Sequence, residues 1–171
     1  MTMKKPFEAL VQEHGSTVLR VCRAVVGPVD AQDAWSETFL SALQKYPELP
    51  ANANVQAWLV TIAHRKALDI IRRSDRAVPV SEVPGTSLVQ DANEFDVLDA
   101  AAVWQIVKLL PPRQRQVVAY RYLGGLSFQE IAEVVGGTAA AARRACSDGL
   151  ANLRSRHIEE LSNPTTFGGM Q

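Results

Sequence analysis

The chain has 171 residues, 47% of them hydrophobic, and a mean hydropathy of -0.05, the composition of a soluble globular protein with room for one ordinary domain or two small ones. No uninterrupted apolar run approaches the roughly 18 residues that cross a bilayer, and the start MTMKKPFEAL lacks the apolar centre of a secretory signal, so a cytoplasmic protein without membrane insertion is expected. The 18 basic and 18 acidic side chains cancel, which at first argues against a nucleic-acid ligand.

The distribution of charge weakens that objection. Residues 1–74 carry nine basic and seven acidic side chains (+2), residues 75–99 one and six (−5), and residues 100–171 eight and five (+3). An acidic connector between two mildly basic ends hides the basic character in the total.

In chain order, Phe7, Leu10, Val11, Val18, Val21, Cys22 and Val25 recur mostly at three- and four-residue steps and predict an amphipathic helix that Gly27 and Pro28 end. Asp30 is placed to cap a second helix, on which Ala34, Trp35, Thr38, Phe39, Ala42 and Leu43 share a face. Pro47, Pro50, Asn52 and Asn54 make residues 46–54 a loop. A third helix is expected from about Val55 to Arg73, with Trp58, Leu59, Ile62, Ala63, Leu68 and Ile71 as its core side. Residues 75–99, with two prolines, a glycine, several acids and no sustained period, are expected to be a linker.

Helical periodicity returns from about Val97 to Leu110, and Pro111 and Pro112 precede another helix near Arg113 to Leu123 that Gly124 and Gly125 end. Ser127 with Glu130 three residues on is a capping-box pattern ahead of Ile131, Val134 and Val135. Gly136 and Gly137 allow a tight turn, Thr138 can cap a last helix to about Leu161, and residues 162–171 form a tail. The expected fold is all-α: two small helical bundles, residues 1–74 and 100–161, joined by a flexible linker. The second contains a helix, glycine turn and helix, the pattern that places its second helix in a DNA major groove.

Cys22 and Cys146 stand alone in apolar helical contexts and read as buried reduced thiols. His14, His64 and His157 are scattered, and HExxH, P-loop and GxSxG patterns are absent from the sequence. No catalytic residue, metal ligand, cofactor or small-molecule substrate is therefore expected.

The run LPPRQRQVVAYRYLGGLSFQEIAEVVGG resembles region four of extracytoplasmic-function sigma factors, members of the sigma-70 superfamily of RNA polymerase subunits, and also the helix-turn-helix of LuxR-type regulators. VDAQDAWSETFLSAL and AWLVTIAHRKALDIIRR resemble sigma region two, and two blocks in the right order favour the sigma family. The resemblance implies an alternative sigma factor that binds core RNA polymerase through its beta-prime clamp helices and beta flap, reads promoter DNA, and is held by an anti-sigma factor. A stand-alone regulator, and a helical interaction protein that has lost DNA reading, stay open as alternatives.

Residue by residue, the resemblance gives Asp33, Glu37 and Phe39 to polymerase docking, with core packing, the more common outcome for aromatics at helical spacing, as the alternative for Phe39 and Trp35. Asn52 and Asn54 would read base edges or serve the turn, while His64, Arg65, Lys66, Arg72 and Arg73 would hold phosphates of the minus-ten element. Thr138, Arg143, Arg144 and Ser147 would face the minus-thirty-five duplex. The chain departs from the family in having His64-Arg65 where Arg-Asn is common. It also has TAAAARRACSD, four consecutive alanines, where a richer set of polar residues is usual.

Overall fold

A computed structural model describes residues 3–76 and 104–162, with side chains for residues 3–75 and 104–156. Three helices form the first bundle: α1 (Phe7–Val26), α2 (Ala31–Lys45) and α3 (Val55–Arg76), with a 3-10 turn at Tyr46–Glu48 in the loop before α3. The second unit opens on a helical turn at residues 104–107 and continues through α4 (Pro112–Tyr122), α5 (Phe128–Val135) and α6 (Ala139–Ser162). No described helix is long and apolar enough to cross a membrane.

Helix α3 runs three residues past its expected end because nothing in Ser74-Asp75-Arg76 breaks it, and the next breaker is Pro79. The rest of the expected linker, the first part of the helix expected from Val97 and the tail beyond Ser162 lie outside the described residues. Asp30 occupies the N-cap position of α2, but its side chain accepts no capping hydrogen bond. The Ser127 box forms in full, with Ser127 Oγ accepting from the Glu130 N–H and Glu130 Oε1 accepting from the Ser127 N–H. Thr138 Oγ1 caps α6 by accepting from the Ala141 N–H at 3.1 Å.

The first bundle closes around Val18, Cys22, Ala31, Ala34, Phe39, Ala42, Leu59, Ile62, Ala63 and Ile70. A second apolar cluster belongs to neither bundle alone. Val21, Ala24 and Val25 of α1 and Val60 and Ala67 of α3 join Val117, Tyr120, Leu126, Ile131, Ala142 and Cys146 of the second unit. Helices α1 and α3 therefore bury two faces each, one inward and one toward the second unit, and the two bundles share a core. Both cysteines are free and buried, and burial pushes the Cys22 thiol up to about 12.

The helix-turn-helix depends on its caps, since α5 has only eight residues and little hydrogen bonding of its own to lose. Ser127→Ala is expected to lower unfolding stability by about 1 kcal/mol, measured by urea denaturation. An unchanged midpoint would mean the box contributes nothing.

Candidate nucleic-acid interface

Helix α6 starts where two glycines with positive φ, Gly136 (88°) and Gly137 (95°), reverse the chain after α5. Arg113 on α4 fastens this turn by donating to the carbonyls of Gly136 (3.1 Å) and Val135 (3.4 Å). On the far turn, Arg121 donates to the Leu126 carbonyl at 3.0 Å and lies 4.8 Å from the Phe128 ring centroid. A single scaffold helix thus holds both ends of α5 and aims α6.

Ala142 and Cys146 turn inward, and Ala140, Ala141, Arg143, Arg144, Ser147 and Asp148 are exposed. Arg143 does not extend freely, because its guanidinium lies 5.2 Å from the Phe128 centroid. Thr138 spends its hydroxyl oxygen on the cap. The free surface of the first turns of α6 is therefore apolar, with Arg144 and Ser147 farther along.

Around the loop at residues 46–54, Lys4 donates to the carbonyls of Tyr46 and Leu49 (2.7 Å to Leu49), and the Tyr46 hydroxyl donates to the Lys5 carbonyl at 2.5 Å. These contacts tie the N-terminus to the loop. A cavity of about 210 Å³ lined by His14, Tyr46, Leu49, Pro50 and Val55 lies beside it. Asn52 is exposed. Asn54 is the N-cap of α3, its Oδ1 accepting from the Ala57 N–H at 3.2 Å, so the turn option for this residue is present. Its Nδ2 donates to Glu130 Oε2 at 2.7 Å, across to the second unit.

His64 departs most from its expected place among the phosphate-holding cations. Its ring is 7% exposed, and Nδ1 lies 2.5 Å from the hydroxyl of Tyr120, which has no exposed surface. Burial, then the positive charges of Arg113 and Arg65, hold the imidazole down to about 4, so it is neutral at physiological pH. In the neutral tautomer whose proton is on Nε2, the Tyr120 hydroxyl donates to Nδ1, and burial pushes the phenol well above its ordinary range. A neutral buried ring holds no phosphate in this arrangement. Spacing alone carries part of the signal: Val60, His64 and Ala67 follow one another at four- and three-residue steps, and in the fold they form a second buried stripe on α3.

The other basic residues of α3 remain outside. Arg65 and Arg72 are exposed and Lys66 is half-buried. Arg73 pairs with Glu37 across the bundle at 3.6 Å. On α2, Asp33 is exposed, Glu37 is half-buried in that pair, and Phe39 is 6% exposed, its ring tilted against Trp35 at 4.7 Å and edge-on to Phe7 at 6.3 Å. Phe39 is thus a core residue and not a surface anchor. Leu43, expected to share a face with Phe39 and Ala42, is 51% exposed where those two are buried, and Leu40 is 63% exposed. These two leucines are the large apolar side chains that α2 offers to a partner.

Known proteins share both halves. The family model described as sigma-70 region 2 matches residues 10–77, and that described as sigma-70, region 4 matches residues 100–153. The extracytoplasmic-function RNA polymerase sigma factor SigD of Mycobacterium tuberculosis is 31% identical over 152 residues, 82% of this chain and 72% of SigD. The sigma factor BldN of Streptomyces coelicolor is 34% identical over 137 residues, 76% of this chain, which spans about half (52%) of BldN. The fold is also that of RpoE in its co-crystal structure with the anti-sigma factor NepR from Bartonella quintana, with a TM-score of 0.63 at 19% identity over 86% of this chain and 96% of that one.

Buried His64 gives stability a definite pH dependence. The unfolded chain takes up a proton on this ring below about 6.5, the folded chain only near 4. Its contribution is therefore complete above pH 6.5 and is lost as pH falls toward 4. Urea unfolding between pH 7 and 5, above the range where carboxylates titrate, should show stability falling by up to ~2 kcal/mol. His64→Gln should flatten that slope, and an equal slope in the variant would exclude His64 as its source.

Proposed function

Because the chain belongs to the extracytoplasmic-function family of RNA polymerase sigma factors, we propose that it joins core RNA polymerase and directs it to particular promoters. Its sequence match to region two leaves the stand-alone LuxR-type regulator without support. The observation that carries the reading is the presence, on one chain and in order, of a region-two bundle and a region-four helix-turn-helix whose recognition helix is presented outward.

In this reading α2 docks on the clamp helices of the beta-prime subunit, with Leu40 and Leu43 as apolar anchors beside the acids Asp33 and Glu37. The second unit lies against the beta flap. The loop at residues 46–54, braced by Lys4 and Tyr46, faces the melted minus-ten strand, with Asn52 at its surface and Arg65, Lys66 and Arg72 along the adjoining helix for phosphates. Helix α6 enters the minus-thirty-five major groove, where Ala140 and Ala141 offer methyl surface to thymine methyls and Arg144 and Ser147 supply polar contacts. The protein works in the cytoplasm, carries no catalysis of its own and is restrained by an anti-sigma factor, as RpoE is bound by NepR.

Transcription with purified core polymerase on promoter fragments from the same genome tests this. Discrete new start sites are expected only when the protein is added, and their absence despite core binding would leave a protein that associates with polymerase without reading promoters. Leu40→Arg with Leu43→Arg is expected to weaken core binding roughly tenfold or more with helix content unchanged by circular dichroism, since both side chains are exposed. Unaltered affinity would move the docking face elsewhere.

A further inference from the structure

We propose that the short segment ahead of α1 is a positioning element for minus-ten reading: Lys4 holds the loop at residues 46–54 in the shape that meets the promoter strand. Sequence preference at that element then depends on a residue 42 positions before the loop begins. The positioning role rests on the promoter-directing reading above, whereas the brace itself does not.

Little inside the loop fixes its shape. Its backbone bonds run from the Leu49 N–H to the Tyr46 carbonyl and from the Ala53 N–H to the Pro50 carbonyl, both 3.1 Å, and Pro47 and Pro50 have no N–H to add. Asn54 anchors one root of the loop as the cap of α3. The other root is the C-terminal end of α2, where the last carbonyls lack intrahelical donors and a positive charge is favoured. Lys4 supplies both. Its ammonium donates to the carbonyls of Tyr46 and Leu49, the latter at 2.7 Å, and lies 4.4 Å from the Tyr46 ring centroid. The two ends of the turn that carries Pro47 and Glu48 are thereby pinned to one cation.

The segment is itself held in place. Lys5 pairs with Glu13 of α1 at 2.6 Å, and the Tyr46 hydroxyl donates to the Lys5 carbonyl at 2.5 Å. The Tyr46 ring packs between Phe7 of α1, at 5.7 Å, and Trp58 of α3, at 6.5 Å. Met3, Lys4 and Lys5 line the cavity of about 210 Å³ together with Leu49, Pro50 and Ala51. Segment, loop and the ends of all three helices of the first bundle therefore meet around one tyrosine.

Order in the loop matters for choice as well as for affinity. A loop already ordered loses less freedom on meeting the strand, and a rigid surface rejects a wrong base to which a mobile one would fit itself. Lys4 is exposed, so removing its ammonium takes nothing from the hydrophobic core.

Three variants of the full chain test this. Lys4→Met keeps the stem and removes the ammonium, Lys4→Arg keeps a cation with several donors, and Tyr46→Phe keeps the ring and removes the hydroxyl that holds the segment. Hydrogen exchange of the loop amides, compared with those of α5 and α6, reads the brace. Transcription with core polymerase, on templates randomised separately at minus-ten and at minus-thirty-five, reads the choice of promoter. Lys4→Met and Tyr46→Phe are expected to speed loop exchange roughly tenfold and to lower the preference among minus-ten sequences roughly fivefold. Exchange in α5 and α6, preference at minus-thirty-five and affinity for core should keep the parent's values. Lys4→Arg should stay near the parent in every measurement.

Loop exchange at the parent's rate in Lys4→Met overturns the brace. Faster loop exchange with an unchanged minus-ten preference overturns the positioning role, as does a loss of preference shared equally by minus-thirty-five. A parent chain that yields no start sites sinks the promoter-directing reading and the positioning role with it, while loop exchange still decides the brace.

Discussion

Tyr120 has no exposed surface and His64 almost none, and a buried polar atom left without a partner costs about 1–3 kcal/mol. The hydroxyl belongs to the second unit and the imidazole to the first, so each unit can bury its ring only where the other supplies the match. The apolar cluster around the pair contributes most of the contact area, but hydrophobic burial is non-directional and tolerates sliding. A 2.5 Å hydrogen bond between two rigid rings set at 83° does not. Register between the bundles, and with it the placement of the helix-turn-helix, follows from this pair and is reinforced by Asn54 and Glu130 at the rim.

The same constraint shows why some of the molecule was readable in the sequence and some was not. Helices were legible because their signals are local: spacing in α1, the Ser127–Glu130 box, the paired glycines before α6. Which partner a face meets is not local. Val60, His64 and Ala67 have helical spacing, but a histidine amid basic neighbours reads as a cation until a phenol 56 positions away is brought beside it. Leu43 shares its expected face with buried Ala42 and Phe39 yet is exposed, since periodicity gives the angular position of a side chain and not whether anything covers it. Two bundles were expected, and two are present. That they share a core is a property of α1 and α3 having a second apolar face.

Around the proposed DNA-reading surfaces the structure separates scaffold from contact. Arg113 and Arg121 look like obvious phosphate ligands, yet both are used to hold turns through backbone carbonyls. Arg143 rests on Phe128. The cations left with no such work are few: Arg144 on α6, and Arg65 and Lys66 on α3, with Arg72 bound only loosely to Asp69 at 3.9 Å. A weak electrostatic grip on DNA is consistent with net charge zero, and under the proposed function it would leave promoter choice to shape, methyl contacts and the tether through polymerase.

Sigma regions are often pictured as modules on a string, each free to be exchanged for its counterpart. The shared Tyr120–His64 pair argues against free exchange here. A chimera that took its first bundle from this chain and its second from a relative lacking a phenol at the matching place would strand an imidazole, and the reverse graft would strand a phenol. Either hybrid would hold its two halves together less firmly, because one buried polar atom would be left without a partner. Hybrids of this chain would thus lose the register between the bundles, and the two halves must change together as one heritable unit.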